Sequence, residues 1–91
     1  MADQQRLIRF SGNVQGVGFR HTATQTARGF DVTGYVKNLP DGKVELLAEG
    51  DRKEIDAFLA DLRQRMGQYI RDESAQTAEP SGRYTSFGVA F

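Results

Sequence analysis

Between positions 11 and 20 the chain carries Gly12, Gly16 and Gly18, and Arg20 follows at once. Glycine lets successive backbone N–H groups turn inward toward one point, which makes a nest for an anion. A helix starting near Arg20 would aim its N-terminal dipole at the same point. Arginine adds a planar fork of donors that keeps its charge near neutral pH. The chemistry on offer is the grip of one phosphate-like group. Two familiar nucleotide patterns do not fit. Gly12 and Gly16 are separated by three residues and no Lys-Ser/Thr pair follows, so this is not a nucleotide P-loop. The dinucleotide fingerprint would place a third glycine at position 21, which is His21. On spacing alone the loop reads equally as an anion nest or as a simple tight turn.

The elements that must hold this loop can be read from hydrophobic period. Leu7, Ile8 and Phe10 form a short apolar first strand that delivers the chain into the loop. Phe19, Ala23, Ala27 and Phe30 step by four, four and three and trace one stripe of a first helix. The rest of that segment is Thr, Gln and Arg, weak in helix propensity, so packing must hold it. Val32 to Val36 alternates as a second strand, with Val32, Gly34 and Val36 on one face and Thr33 and Tyr35 on the other. Pro40, Asp41 and Gly42 signal a hairpin, and Val44 to Ala48 returns as a third strand. Asp51 with Glu54 reads as a capping box. It opens a second helix whose core face is Ile55, Phe58, Leu59, Leu62 and Met66, with Gly67 as terminator. Tyr69 to about Thr77 reads as a polar fourth strand. A turn at Pro80, Ser81 and Gly82 and a final strand from Tyr84 to Phe91 complete the chain, with an extra short strand around Pro80 as an option.

The order β-α-β-β-α-β is that of the split βαβ unit: an α+β, ferredoxin-like α/β sandwich with an antiparallel sheet and two helices on one face. In that arrangement strands one and two are parallel, joined by a right-handed crossover, with strand three between them. Their C-terminal ends share one sheet edge, so topology carries Asn38 toward the glycine loop. Lys37, one position earlier, alternates to the opposite face.

Composition narrows the partners. The 91 residues bound one domain, 1–91. Twelve basic and twelve acidic side chains cancel, and the pI is about 6.6, which argues against a nucleic-acid or membrane surface. There are no cysteines, so disulfides and thiol chemistry are excluded. The polar segment from Met1 to Arg6 has no signal-peptide core and no long apolar run follows, so a cytoplasmic protein is the expectation.

The segment Gly12-Asn13-Val14-Gln15-Gly16-Val17-Gly18-Phe19-Arg20 resembles the signature of the acylphosphatase family. A second family signature is matched by the run from Thr33 to Glu45, and Gly50 and Ser86 to Val89 add to the likeness. The resemblance implies a small hydrolase of acyl phosphates that needs no metal or other cofactor. It implies that Arg20 binds the phosphoryl oxygens, that the backbone N–H groups of Gln15, Gly16, Val17, Gly18 and Phe19 complete the cradle, and that the Asn38 amide holds the attacking water. Inorganic phosphate or sulfate is expected to compete for the loop, and the protein to act as a monomer. His21 is read as a solvent-facing helix residue rather than a base. Asp31 stands where members usually carry a glycine, so local strain is expected there.

Three other readings are set against this one. An RNA-binding module is disfavoured because the Gly-Val-Gly-Phe run follows strand one, not strand three, and the chain is neutral. The others are a non-catalytic or regulatory anion-binding domain of the same family, and a relative of the acylphosphatase-like domain inside a larger carbamoyl-transfer maturation enzyme. Both Arg20 and Asn38 are retained, which favours activity.

Overall fold

A computed structural model describes residues 2–91; Met1, at the start of the polar N-terminal segment, lies outside the described residues. The elements follow in the order β1 (Gln4–Gly12), α1 (Phe19–Ala27), β2 (Val32–Asn38), β3 (Val44–Gly50), α2 (Arg52–Met66), a 3₁₀ turn (Gly67–Tyr69), β4 (Ile70–Ala78) and β5 (Phe87–Val89). The sheet order is β4-β1-β3-β2-β5. As expected, β3 lies between β1 and β2 and is antiparallel to both. The two helices sit on this sheet in a ferredoxin-like α+β arrangement.

Alternation decides which residues form the core. Ile8 and Phe10 of β1, Val32 and Val36 of β2, and Val44, Leu46 and Ala48 of β3 bury one sheet face against Phe19, Ala23 and Ala27 of α1. Ile55, Phe58, Leu59, Leu62 and Met66 of α2 close the same core. The Phe10 and Phe19 rings meet at 5.0 Å, and Phe58 meets Phe87 edge-on at 5.3 Å. Each such ring fully removed from water contributes about 1.5–3 kcal/mol, which is how α1 persists despite its weak propensity.

Four expectations need correction. The sheet is mixed, not antiparallel, because β5 pairs parallel with β2. The final strand is three residues long, and no strand forms around Pro80. Pro80 has no N–H to give, and the N–H groups of Ser81 and Gly82 go instead to the Glu49 carboxylate. The Asp51 carboxylate does cap α2, accepting from the Lys53 N–H at 2.8 Å. Glu54 makes no reciprocal bond to it and accepts from the Asp31 N–H at 2.8 Å instead. That bond bears on the fourth correction: no described residue other than glycine has a positive φ, so Asp31 is not strained. Helix α1 unwinds through three tight i→i−3 bonds at Arg28, Gly29 and Phe30 without a left-handed residue.

Residues 79–86 run from one sheet edge to the other, and contacts on the face away from the helices hold them. Tyr84 packs on Tyr35 at 5.9 Å. Glu49, 3% exposed, accepts hydrogen bonds from the Ser81 N–H and hydroxyl at 2.7 Å each, from the Gly82 N–H at 3.1 Å and from the Gln5 amide at 2.7 Å. Burial alone would raise its carboxyl; these four donors outweigh burial and hold it below its ordinary value. A carboxyl lowered in the folded state adds stability that is present above its unfolded pKa and is lost as pH falls through the folded one. Replacing Glu49 with glutamine turns one accepting oxygen into a donor that faces N–H groups. The expected cost is about 2–3 kcal/mol at pH 7, with a smaller penalty at acid pH once the native carboxyl, held below its ordinary value, also protonates. Urea unfolding of Glu49→Gln and the native protein across that range measures both.

Candidate active site

The register places the site. Asn38 and Phe10 are both direct partners of Val44 across β3, from opposite sides. The end of β1 and the end of β2 therefore reach the same sheet edge, and Asn38 lies in the row of the core-facing Phe10. Phe19, the first residue of α1, stacks on Phe10 and lifts the first helical turn, with Arg20, over that row. The result is a cleft of about 410 Å³ whose lining includes Gly16, Gly18, Phe19, Arg20 and Asn38.

The loop conformation depends on two glycines. Gly16 has φ 77° and Gly18, the N-cap of α1, has φ 79° and ψ 21°. Both lie in the left-handed region, which a side chain at Cβ disfavours. Gly18 offers no side-chain cap, and the first turn of any helix leaves its N–H groups without intrahelical partners. The first helical bond runs from the Thr22 N–H to the Gly18 carbonyl. The N–H groups of the first turn are thus open donors at the positive end of the helix.

Gly12 has a different part from the one the loop pattern suggested. A Cβ there would stand 2.6 Å from the Tyr69 carbonyl oxygen and 2.7 Å from the Arg71 nitrogen. This glycine is required by the close approach of the chain entering β4, and it does not line the cleft. Gln15 and Val17 do not line it either. Val17 packs on the core. The Gln15 side chain donates to the carbonyls of Leu39 and Lys43 at 2.8 Å each. It ties the glycine loop to the β2–β3 hairpin one residue beyond Asn38, a positioning role that the sequence reading did not assign.

Arg20 is half-buried and has no ion-pair partner among the described residues; its guanidinium lies 5.6 Å from the centre of the Phe91 ring. An unpaired guanidinium at the mouth of a cleft is available to an incoming anion. His21 is exposed at the cleft rim. Thr24 also lines the cleft and donates to the His21 carbonyl at 2.8 Å; its place four residues after Arg20, on the same helix face, was a usable signal. Val14, Val89 and Phe91 complete the lining.

Lys37 alternates away, as strand geometry requires. Its ammonium is 3.8 Å from Glu45, which also accepts from Arg9 at 3.1 Å and from the Tyr35 hydroxyl at 2.8 Å. Burial would raise the Glu45 carboxyl, but the Tyr35 and Arg9 hydrogen bonds and the Lys37 charge bring it down. Burial first, and then the adjoining carboxylate, push the Tyr35 phenol far up. These groups support the outer sheet face. Among the described residues, no three His, Asp or Glu side chains gather as a metal site, and no helix is long and apolar enough to cross a membrane.

The fold is that of known proteins along nearly the whole chain. The acylphosphatase family model matches residues 7–89. An acylphosphatase of Archaeoglobus fulgidus is 42% identical over 85 residues, spanning 92% of this chain and 94% of its own. The crystal structure of acylphosphatase from Bacillus subtilis aligns with a TM-score of 0.86 at 29% identity, covering 97% of this chain and 99% of that one. HypF of T. kodakarensis aligns at a TM-score of 0.79 and 31% identity, over 100% of this chain but 12% of that larger one. A family match from the first strand to the last, with a relative of equal length at that identity, places this chain in the acylphosphatase family, the hydrolases that act on acyl phosphates.

Proposed function

We propose that the cleft between the glycine loop and Asn38 hydrolyses acyl phosphates by holding the phosphoryl group and aiming one water at it. The observation that carries this is the meeting of an unpaired Arg20, the open first turn of α1 and Asn38 in one cleft. Arg20 and the N–H groups of the loop grip the phosphoryl oxygens, and their charge opposes the negative charge of the transition state. Asn38 holds the water through its amide. The water oxygen bonds to phosphorus, the P–O bond to the acyl group breaks, and its electron pair leaves on the carboxylate. A carboxylate is a good leaving group, so little protonation is needed. The water's proton passes to a phosphoryl oxygen of the substrate, which is why the cleft works without a base. A rate profile governed by a protein group with a pKa near ~6.5 would contradict that step and point to His21.

In this reading residues 1–91 act as one unit, a cytoplasmic monomer that needs no cofactor, and inorganic phosphate or sulfate competes for the loop. Coverage of nearly the whole length of acylphosphatase relatives supports reading these residues as one such unit. The test is hydrolysis of benzoyl phosphate and acetyl phosphate by the purified protein in excess EDTA. Turnover undiminished by the chelator is expected. Phosphate binding without turnover of either substrate would leave the non-catalytic anion-binding reading in its place.

A further inference from the structure

The cradle accounts for the phosphoryl half of a substrate and leaves the acyl half without a surface. The two exposed large hydrophobic residues among the described residues are Val89, 41% exposed, and Phe91, fully exposed. Both line the cleft that holds Arg20 and Asn38. Side chains of this size gain nothing for the fold when left in water, and apolar surface gathered at the rim of a polar site marks a place for a ligand. The position of the ring is set by the backbone. β5 runs parallel to β2, and the Ala90 N–H donates to the Val36 carbonyl at 2.9 Å, two residues before Asn38. The ring is then drawn to the Arg20 guanidinium, 5.6 Å from its centre, a distance at which a cation and a ring face attract. Phe91 thus stands beside the group that grips the phosphoryl oxygens, where an acyl substituent must leave the cradle.

We propose that Phe91, with Val89, forms the wall against which the acyl group packs, so that the site favours acyl phosphates with an aromatic or other large apolar acyl group over those with a small one. This inference rests on the assignment of Arg20 to the phosphoryl group. A benzoyl ring can stack on or meet the edge of Phe91, whereas the methyl of acetyl phosphate covers little of it.

The experiment measures kcat/KM for benzoyl phosphate and acetyl phosphate, and the inhibition constant of inorganic phosphate, in the native protein, Phe91→Ala and Phe91→Tyr. Phe91→Ala is expected to lower the benzoyl-to-acetyl ratio about three- to tenfold, and Phe91→Tyr to keep the native ratio. An unchanged ratio in Phe91→Ala, with the native protein active, would overturn the acyl wall alone. Phosphate inhibition weakened by the same factor as benzoyl turnover would also overturn it, since the ring would then act by steadying Arg20. No turnover of either substrate by the native protein would overturn the parent reading and this inference with it.

Discussion

Replacing Arg20 with alanine is expected to lower kcat/KM for benzoyl phosphate by about 10³-fold or more, while the fold persists. The size of the loss follows from the site. Among the described residues no other arginine and no lysine lines the cleft, so nothing replaces the guanidinium against a group whose oxygens carry the transition-state charge. The fold persists because Arg20 is half-buried and pairs with no carboxylate among the described residues. Substitutions of that kind usually move stability by about 0.5 kcal/mol or less. Arg20→Lys restores the charge but not the fork, so it should recover part of the activity. Steady-state kinetics beside thermal unfolding separates the two effects. Weakened phosphate inhibition with native turnover would show that Arg20 binds without stabilising the transition state.

Asn38→Ala should act on a different constant. If the amide orients water and the cradle holds the phosphoryl group, kcat falls by about 10²-fold and KM changes little. Asn38 sits at the end of β2, partly exposed, beside a hairpin closed by the Leu39 N–H to the Lys43 carbonyl at 2.8 Å. That hairpin and the Gln15 clamp hold the strand end without help from the Asn38 side chain. Asn38→Asp keeps the shape but sets a negative charge against the phosphoryl group, so it should not rescue. A rise in KM with native kcat would assign Asn38 to substrate binding instead.

The parts of this site that were legible in the sequence are those that local chemistry or strand order determines. The glycine loop and Arg20 are contiguous, and left-handed turns at Gly16 and Gly18 need glycine whatever the rest of the fold does. Asn38 was reached through topology, because β1 and β2 must end at the same edge if β3 lies between them. Phe91 was out of reach, since its position depends on β5 pairing parallel with β2 at the far edge, and three residues carry too little pattern to announce that. The side-chain role of Gln15 and the packing role of Gly12 were hidden for a related reason. Each answers to a partner 24 or more residues away, on the hairpin at Leu39 and on the approach to β4 at Tyr69. Glu49 shows the limit of period-2 reading. Glu45, Leu47 and Glu49 alternate as a wet face would, yet all three are buried: Ser81 and Gly82 of the 79–86 crossing bond Glu49, and Arg9, Lys37 and Tyr35 gather on Glu45. Asp31 shows a correct local rule overridden, because tight turns at the end of α1 and the Glu54 carboxylate remove the need for a left-handed residue.

The central claim is that Asn38 delivers water to the phosphorus held by Arg20 and the loop. Hydrolysis of benzoyl phosphate in ¹⁸O-enriched water with EDTA present, followed by mass spectrometry of both products, tests it most directly. The account predicts label in inorganic phosphate and none in benzoate; label in benzoate would mean that water attacks the carbonyl carbon, and would contradict it.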